Sequence, residues 1–148
     1  MKRICLPLFL LLVGCGEKAS TAEDYYTTLI KLPDGTTIQA EQMRTPSEML
    51  RGMMFRDSLK PDHGMLFTHG GPGRYSYWMF QVKIPLDIVW LDAGGHIVEI
   101  SAPTPPCKDS VASKCPHFGG NVDALYVAEF AAGIVEKHHL GIGDHLQF

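Results

Sequence analysis

What most constrains this chain is the way its apolar residues are parcelled. Past residue 26 they fall in runs of about four to eight, rich in Ile, Val, Thr and aromatics, each soon cut by Pro, Gly or Asp. Thr27 to Lys31 and Thr36 to Ala40 flank Pro33-Asp34-Gly35, a tight-turn signal, so they read as a hairpin. Thr45-Pro46-Ser47-Glu48 is a capping box with Pro at the first helical position, and predicts a short helix from Pro46 to about Met54. Asp57 to Gly64 reads as a polar turn region, Met65 to Thr68 as a strand, and His69 to Gly73 as a loop. Tyr75 to Lys83 and Leu86 to Asp92 read as strands separated by Ile84-Pro85. Asp92 to Gly95 then turns the chain into a strand from His96 to Ala102. Pro103 to Gly120 is a long loop with four prolines, Val122 to Phe130 a strand, Ala131 to His139 a short helix and His145 to Phe148 a final short strand. Many close-set strands with little helix predict a mostly β fold, a compact β barrel or sandwich with one or two short helices.

The first fifteen residues obey a different logic. Lys2 and Arg3 precede the apolar run Ile4 to Val13, which ends in Leu12-Val13-Gly14-Cys15. A basic start, a short apolar segment and small residues at a cleavage point make an export signal, too short for a permanent membrane span. In its lipoprotein form Cys15 becomes the first residue and carries lipid, which tethers a soluble domain to a membrane. The expected organisation is a signal at 1–14, a lipidated tether at 15–26 and a single β-rich domain at 27–148. Gly16 after Cys15, rather than Asp, directs the expectation to an outer membrane where the cell has one. Loss of Lys2 and Arg3 leaves 11 basic residues against 16 acidic ones, a net charge near −5. The basic residues are scattered singly, which argues against nucleic acid as a partner.

Cys107 and Cys115 are the two cysteines left once Cys5 departs with the signal and Cys15 is lipidated. In an oxidising compartment they should pair, for about 2.5 kcal/mol on the chain-entropy model. Zinc is the rival use of Cys115 with His117, but no second Cys-His pair completes a tetrahedral set. No metal or other cofactor is expected. His69-Gly70-Gly71 resembles an oxyanion loop, yet there is no Gly-x-Ser-x-Gly elbow, no phosphate-loop Lys and no His-Glu-x-x-His pair. Met49, Met53, Met54, Met65 and Met79 raise Cu(I) carriage, since thioethers bind that ion; adaptable core filling is the simpler account.

The sharper anomaly is two carboxylates inside apolar strands, Asp87 in Ile84 to Leu91 and Glu129 in Leu125 to Phe130. A buried carboxylate costs several kcal/mol unless partnered. Arg56 is the expected partner, in a structural ion pair with one acid. The functional alternative is a pocket where Arg56, Trp78, Asp87 and Glu129 hold a small polar ligand.

The ordered blocks Gly52-Met-Met-Phe-Arg56, Asp62-His-Gly-Met-Leu-Phe67, Tyr77-Trp-Met79, Ile84-Pro-Leu-Asp-Ile88, Tyr126-Val-Ala-Glu-Phe130 with Gly133, and Gly143-Asp144 resemble the bacterial and archaeal domain of unknown function 192 family. The resemblance spans about residues 27 to 148. It implies a small, mostly β domain, often exported or lipid-anchored, with no established activity. The family usually has Leu-Met at Met53-Met54, and an Asn where this chain reads Phe80-Gln81; Gln81 offers the same amide on a longer arm. Two functional readings follow. One is a non-catalytic binding or accessory module at the cell envelope, for a small polar ligand, a glycan or an envelope protein. The alternative is a small envelope hydrolase with Asp87 and Glu129 as acid and base.

Overall fold

The computed structural model describes residues 26–148. The signal segment, Cys15 and nearly all of the tether lie outside the described residues.

Eight strands and two short helices succeed one another: β1 (Thr27–Lys31), β2 (Thr37–Met43), α1 (Pro46–Arg51), β3 (His63–Gly73), β4 (Tyr77–Trp78), β5 (Leu86–Leu91), β6 (Ile97–Thr104), β7 (His117–Phe118), β8 (Ala124–Ala131) and α2 (Ile134–Lys137). Six of the strands form one sheet in the order β1-β2-β3-β8-β5-β6, while β4 and β7 pair separately. Every pairing in the large sheet is antiparallel except β2 with β3, which is parallel. The sheet does not close into a barrel, and the architecture is sandwich-like. Residues 143–147 reach both of its edges: Lys31 of β1 exchanges backbone bonds with Gln147, and Ile97 of β6 bonds to Asp144 and Gly143.

Both faces of the sheet are covered, which is why β5 is buried at every position and reads as an unbroken apolar run. One face carries Ile38, Leu66, Val89, Ala128 and Phe130, closed over by Ile134, Leu140 and Leu146. The other carries Met65, Phe67, Ile88, Trp90 and Val127, covered by Met53, Met79 and Val82. The alternation of β8 therefore sends Ala128 and Phe130 one way, and Val127 and Glu129 the other.

The hairpin and the capping box form where the sequence places them. Thr45 Oγ1 accepts from the Glu48 amide at 3.3 Å and Glu48 Oε2 accepts from the Thr45 amide at 2.8 Å. The helix stops three residues early, at Arg51, because Gly52 at φ 42° turns the chain out of helical geometry. Three other expectations need correcting. His69 to Gly73 is not a loop but the far end of β3, where a bulge between Thr68 and Gly73 absorbs Gly70, Gly71 and Pro72 without breaking the ladder. The strand expected over Tyr75 to Lys83 shrinks to two residues, since Gln81 adopts φ 58° and the chain turns there. The final strand is two isolated bridges, His96 with His145 and Lys31 with Gln147.

Candidate functional site

A cavity of about 370 Å³ lies between the α1 segment and the covered sheet face. Its floor comes from the sheet, with Phe67 of β3 and Glu129 of β8. One wall is Ser76, Tyr77 and Trp78 at β4; the other is Pro46 and the run Met49 to Met54, Arg51 included, with His69 and Val82 filling in. Gly52 is required at this wall: a Cβ there would stand 3.3 Å from Phe67 Cζ and 3.9 Å from Glu129 Oε2, on a backbone at positive φ.

Two features hold the walls. On the α1 side, Phe55 at φ 67° donates its amide to the carbonyl of Gln81 at 2.9 Å, joining two left-handed residues back to back. Strained non-glycine backbone of this kind persists only where its surroundings enforce it. On the β4 side, Tyr77 and Trp78 pair with Phe118 and His117 of β7, and the Trp78 ring lies 5.8 Å from that of His117. The segment carrying β7 is fastened by the Cys107–Cys115 disulfide. It contributes none of the lining residues and braces the aromatic wall from behind.

Glu129 is the chemical centre of this cavity. It is 5 % exposed, and its Oε2 is buried with no hydrogen-bond partner. Burial pushes its pKa up to about 8, against the opposing pull of the Arg56 charge. At neutral pH the carboxyl therefore holds its proton. Burial also raises the Tyr77 hydroxyl above its ordinary range, helped by Glu129 and Tyr75, and lowers the His69 imidazole. The Tyr77 hydroxyl and His69 Nε2 share a hydrogen bond of 3.1 Å, its donor set by the imidazole tautomer. The His69 ring stacks on Tyr75 at 3.5 Å, and Tyr75 donates its hydroxyl to the Gly71 carbonyl at 2.6 Å. Glu129 is accordingly the ionisable group on the floor, ringed by aromatic and thioether side chains.

The expected site residues divide. Trp78 and Glu129 meet at the cavity. Arg56 lies beside it, but the carboxylate it grips is Glu41, through two bonds of 2.6 Å. The expected pairing of Arg56 with Asp87 or Glu129 is thereby corrected. Parallel pairing of β2 with β3 puts Glu41, Met65, Glu129 and Ile88 in one cross-strand row, so Arg56 binds one acid and acts on the other through space. Gln81 is exposed and outside the lining; its part is the turn.

Asp87 lies elsewhere. It pairs with Phe130, while Glu129 pairs with Ile88, so the two acids point to opposite faces of the sheet. Asp87, 1 % exposed, accepts from the amides of Gly133 at 3.0 Å and Val135 at 2.8 Å and so holds the start of α2. Burial raises its pKa and these bonds pull it back. The pair cannot flank one scissile bond, which removes the geometry that a two-carboxylate hydrolase needs.

The zinc reading also yields to geometry. Cys115 is spent in the disulfide, so it cannot join His117 on zinc. Among the described residues no group of three or more His, Cys, Asp or Glu is placed to hold a metal. Of the five methionines weighed for Cu(I), Met65 and Met79 are packed into the core at 1 % exposure or less, while Met49 and Met54 are half-buried and line the cavity beside the buried Met53.

Sequence reasoning missed Tyr77 as a site residue, and weighed His69 only as an oxyanion loop and Met49, Met53 and Met54 only as Cu(I) ligands or core filler, not as the wall of this cavity. The available signal was the helical spacing of Met49 and Met53, which flank Gly52 one turn apart. Glu41 gave no signal, because it alternates with apolar residues in β2 as a solvent-facing acid would.

Comparison with known proteins agrees with this architecture. A protein of Sinorhizobium meliloti 1021 described as a "putative transcription regulator" superposes with a TM-score of 0.74 at 28 % identity, over 83 % of this chain and 94 % of that one. A protein of unknown function from Novosphingobium aromaticivorans DSM 12444 superposes with a TM-score of 0.73 at 24 % identity, over 82 % and 85 %, and supports the fold alone. No curated protein matches the chain. The profile of DUF192, described as an uncharacterized ACR, matches residues 29–148. That match takes in every strand from β2 onward and all of the cavity, and the protein belongs to the domain of unknown function 192 family.

Proposed function

We propose that this protein is a non-catalytic binding module, anchored at the cell envelope by lipid on Cys15, whose small ligand occupies the cavity over Glu129. The observation that carries the reading is Glu129 Oε2, a carboxyl oxygen buried at the floor of a concave apolar site with nothing in the protein bonded to it. A buried polar atom left open costs free energy in the empty protein, and a ligand that donates to it recovers that cost. The cavity has the size and mainly apolar lining of small-molecule sites. The envelope part rests on the Leu12 to Cys15 motif, and the Cys107–Cys115 disulfide suits an oxidising compartment.

A role in transcription, as in the description of the Sinorhizobium protein, draws no support from charge: the chain is formally −3, without a basic cluster in its sequence. A hydrolase resting on Asp87 and Glu129 lacks a shared face.

The test is a thermal-shift screen of small polar molecules against the wild type, Glu129→Gln and Trp78→Ala. A ligand of this cavity raises the wild-type Tm by mass action and raises that of both variants less. Equal shifts in all three proteins would place the ligand elsewhere. For the anchor, labelled palmitate should enter the wild type and fail to enter Cys15→Ser; equal labelling of both would refute lipidation at Cys15.

A further inference from the structure

The chemistry of the cavity narrows its ligand. Phe67, Tyr77 and Trp78 supply aromatic surface, and Met49, Met53 and Met54 supply polarizable thioethers. Aromatic surface around a single carboxyl group is the environment that suits an alkylated ammonium: π-electrons attract the diffuse charge, and the acid provides a counter-ion. We propose that the cavity selects a small organic ammonium ion, its charged head against the Glu129 carboxyl group and its alkyl groups against Phe67, Tyr77 and Trp78. This rests on the preceding reading that the cavity is a ligand site.

The neighbouring charges permit it. Arg56 is engaged by Glu41, and Arg51, which also lines the cavity, is exposed there, so that solvent and salt screen its charge. His69 is held neutral by burial, and the Tyr77 hydroxyl keeps its proton. Asp87, the other buried acid, faces the opposite side of the sheet. A neutral ligand with one donor would satisfy Oε2 as well, but would leave the aromatic enclosure without a role beyond apolar contact.

Binding has a definite proton balance. In the empty protein Glu129 carries a proton, since its pKa stands at about 8. A cation beside the Glu129 carboxyl group favours the carboxylate, so the carboxyl O–H breaks and the proton passes to buffer. Affinity should then rise about tenfold per pH unit below 8 and level off above it.

The experiment is calorimetric titration of the full-length chain in detergent micelles with choline, and with its neutral isostere 3,3-dimethylbutan-1-ol. Each is run at pH 6, 7 and 8.5, and at pH 7 in two buffers of different ionisation heat. The expected result is choline at least about tenfold tighter than the isostere at pH 8.5, with close to one proton released per choline at pH 7. Glu129→Gln should lose the preference and the proton release. Trp78→Leu, which leaves the acid in place, should weaken choline several-fold and the isostere little. Equal binding of both probes to the wild type would leave a small-molecule pocket and overturn the cation. A preference that survives in Glu129→Gln would overturn the seat on Glu129. Failure of both probes to bind would overturn the cation proposal and count against the pocket itself.

Discussion

Glu129 concentrates the cost and the use of this site in one residue. Its pKa is raised in the folded protein from an ordinary 4.5 to about 8, so the folded state binds more protons than the unfolded state between those values. Stability from this group is complete below about pH 4.5 and is lost as pH rises through 8, for a total of about 5 kcal/mol. Glu129→Gln keeps the shape and removes the titration. Its stability relative to wild type should climb by about 1.4 kcal/mol per pH unit across that window, measured as paired urea midpoints from pH 5 to 9. Parallel curves would show that Glu129 is charged in the folded protein. His69 titrates with the opposite sign, gaining stability as pH rises to its ordinary value of 6.5, so the paired comparison is what isolates the acid. Asp87→Ala should cost about 2 to 3 kcal/mol by leaving the Gly133 and Val135 amides unpaired, while ligand affinity at the other face holds. Both acids could be picked out in the sequence because charge interrupts apolar runs there. What each one faces was not legible, since that depends on which residue of β5 stands opposite which residue of β8.

At the scale of elements, local chemistry was readable and pairing was not. The capping box announced α1, and Pro33-Asp34-Gly35 announced the first hairpin, because each is written in adjacent residues. The parallel neighbour of β2 was invisible, and with it the Arg56–Glu41 pair, because the β3 strand beside Glu41 lies beyond an intervening helix and turn. The β4–β7 ribbon was hidden for a similar reason: two residues of each strand meet only because the disulfide-fastened loop is brought back to them. The double substitution Cys107→Ser with Cys115→Ser should cost about 2 to 3 kcal/mol in urea denaturation. It should also loosen the Trp78 wall, seen as a red-shifted, more quenchable tryptophan emission. Full loss of stability with unchanged emission would mean that the loop does not brace the wall.

For the molecule as a whole, the decisive arrangement is a six-stranded sheet covered on both sides, with residues 143–147 laid across its two edges. The mostly β class could be seen in the sequence, from runs too short for helices. The open sheet could not, because closure is decided by how the edges meet. Gly95 sets the edge contact at β6: a Cβ there would stand 2.6 Å from the Leu146 carbonyl, and the residue has φ 79°. Gly95→Ala should cost about 2 to 3 kcal/mol and speed amide exchange at Leu146 and Gln147 together. Exchange that quickens at Leu146 alone would show that the two edges are held independently. These residues follow all eight strands in the chain, so one short segment makes the backbone contacts at Lys31 on one edge and at Ile97 on the other. Loss of that one segment would therefore undo a contact at both edges together.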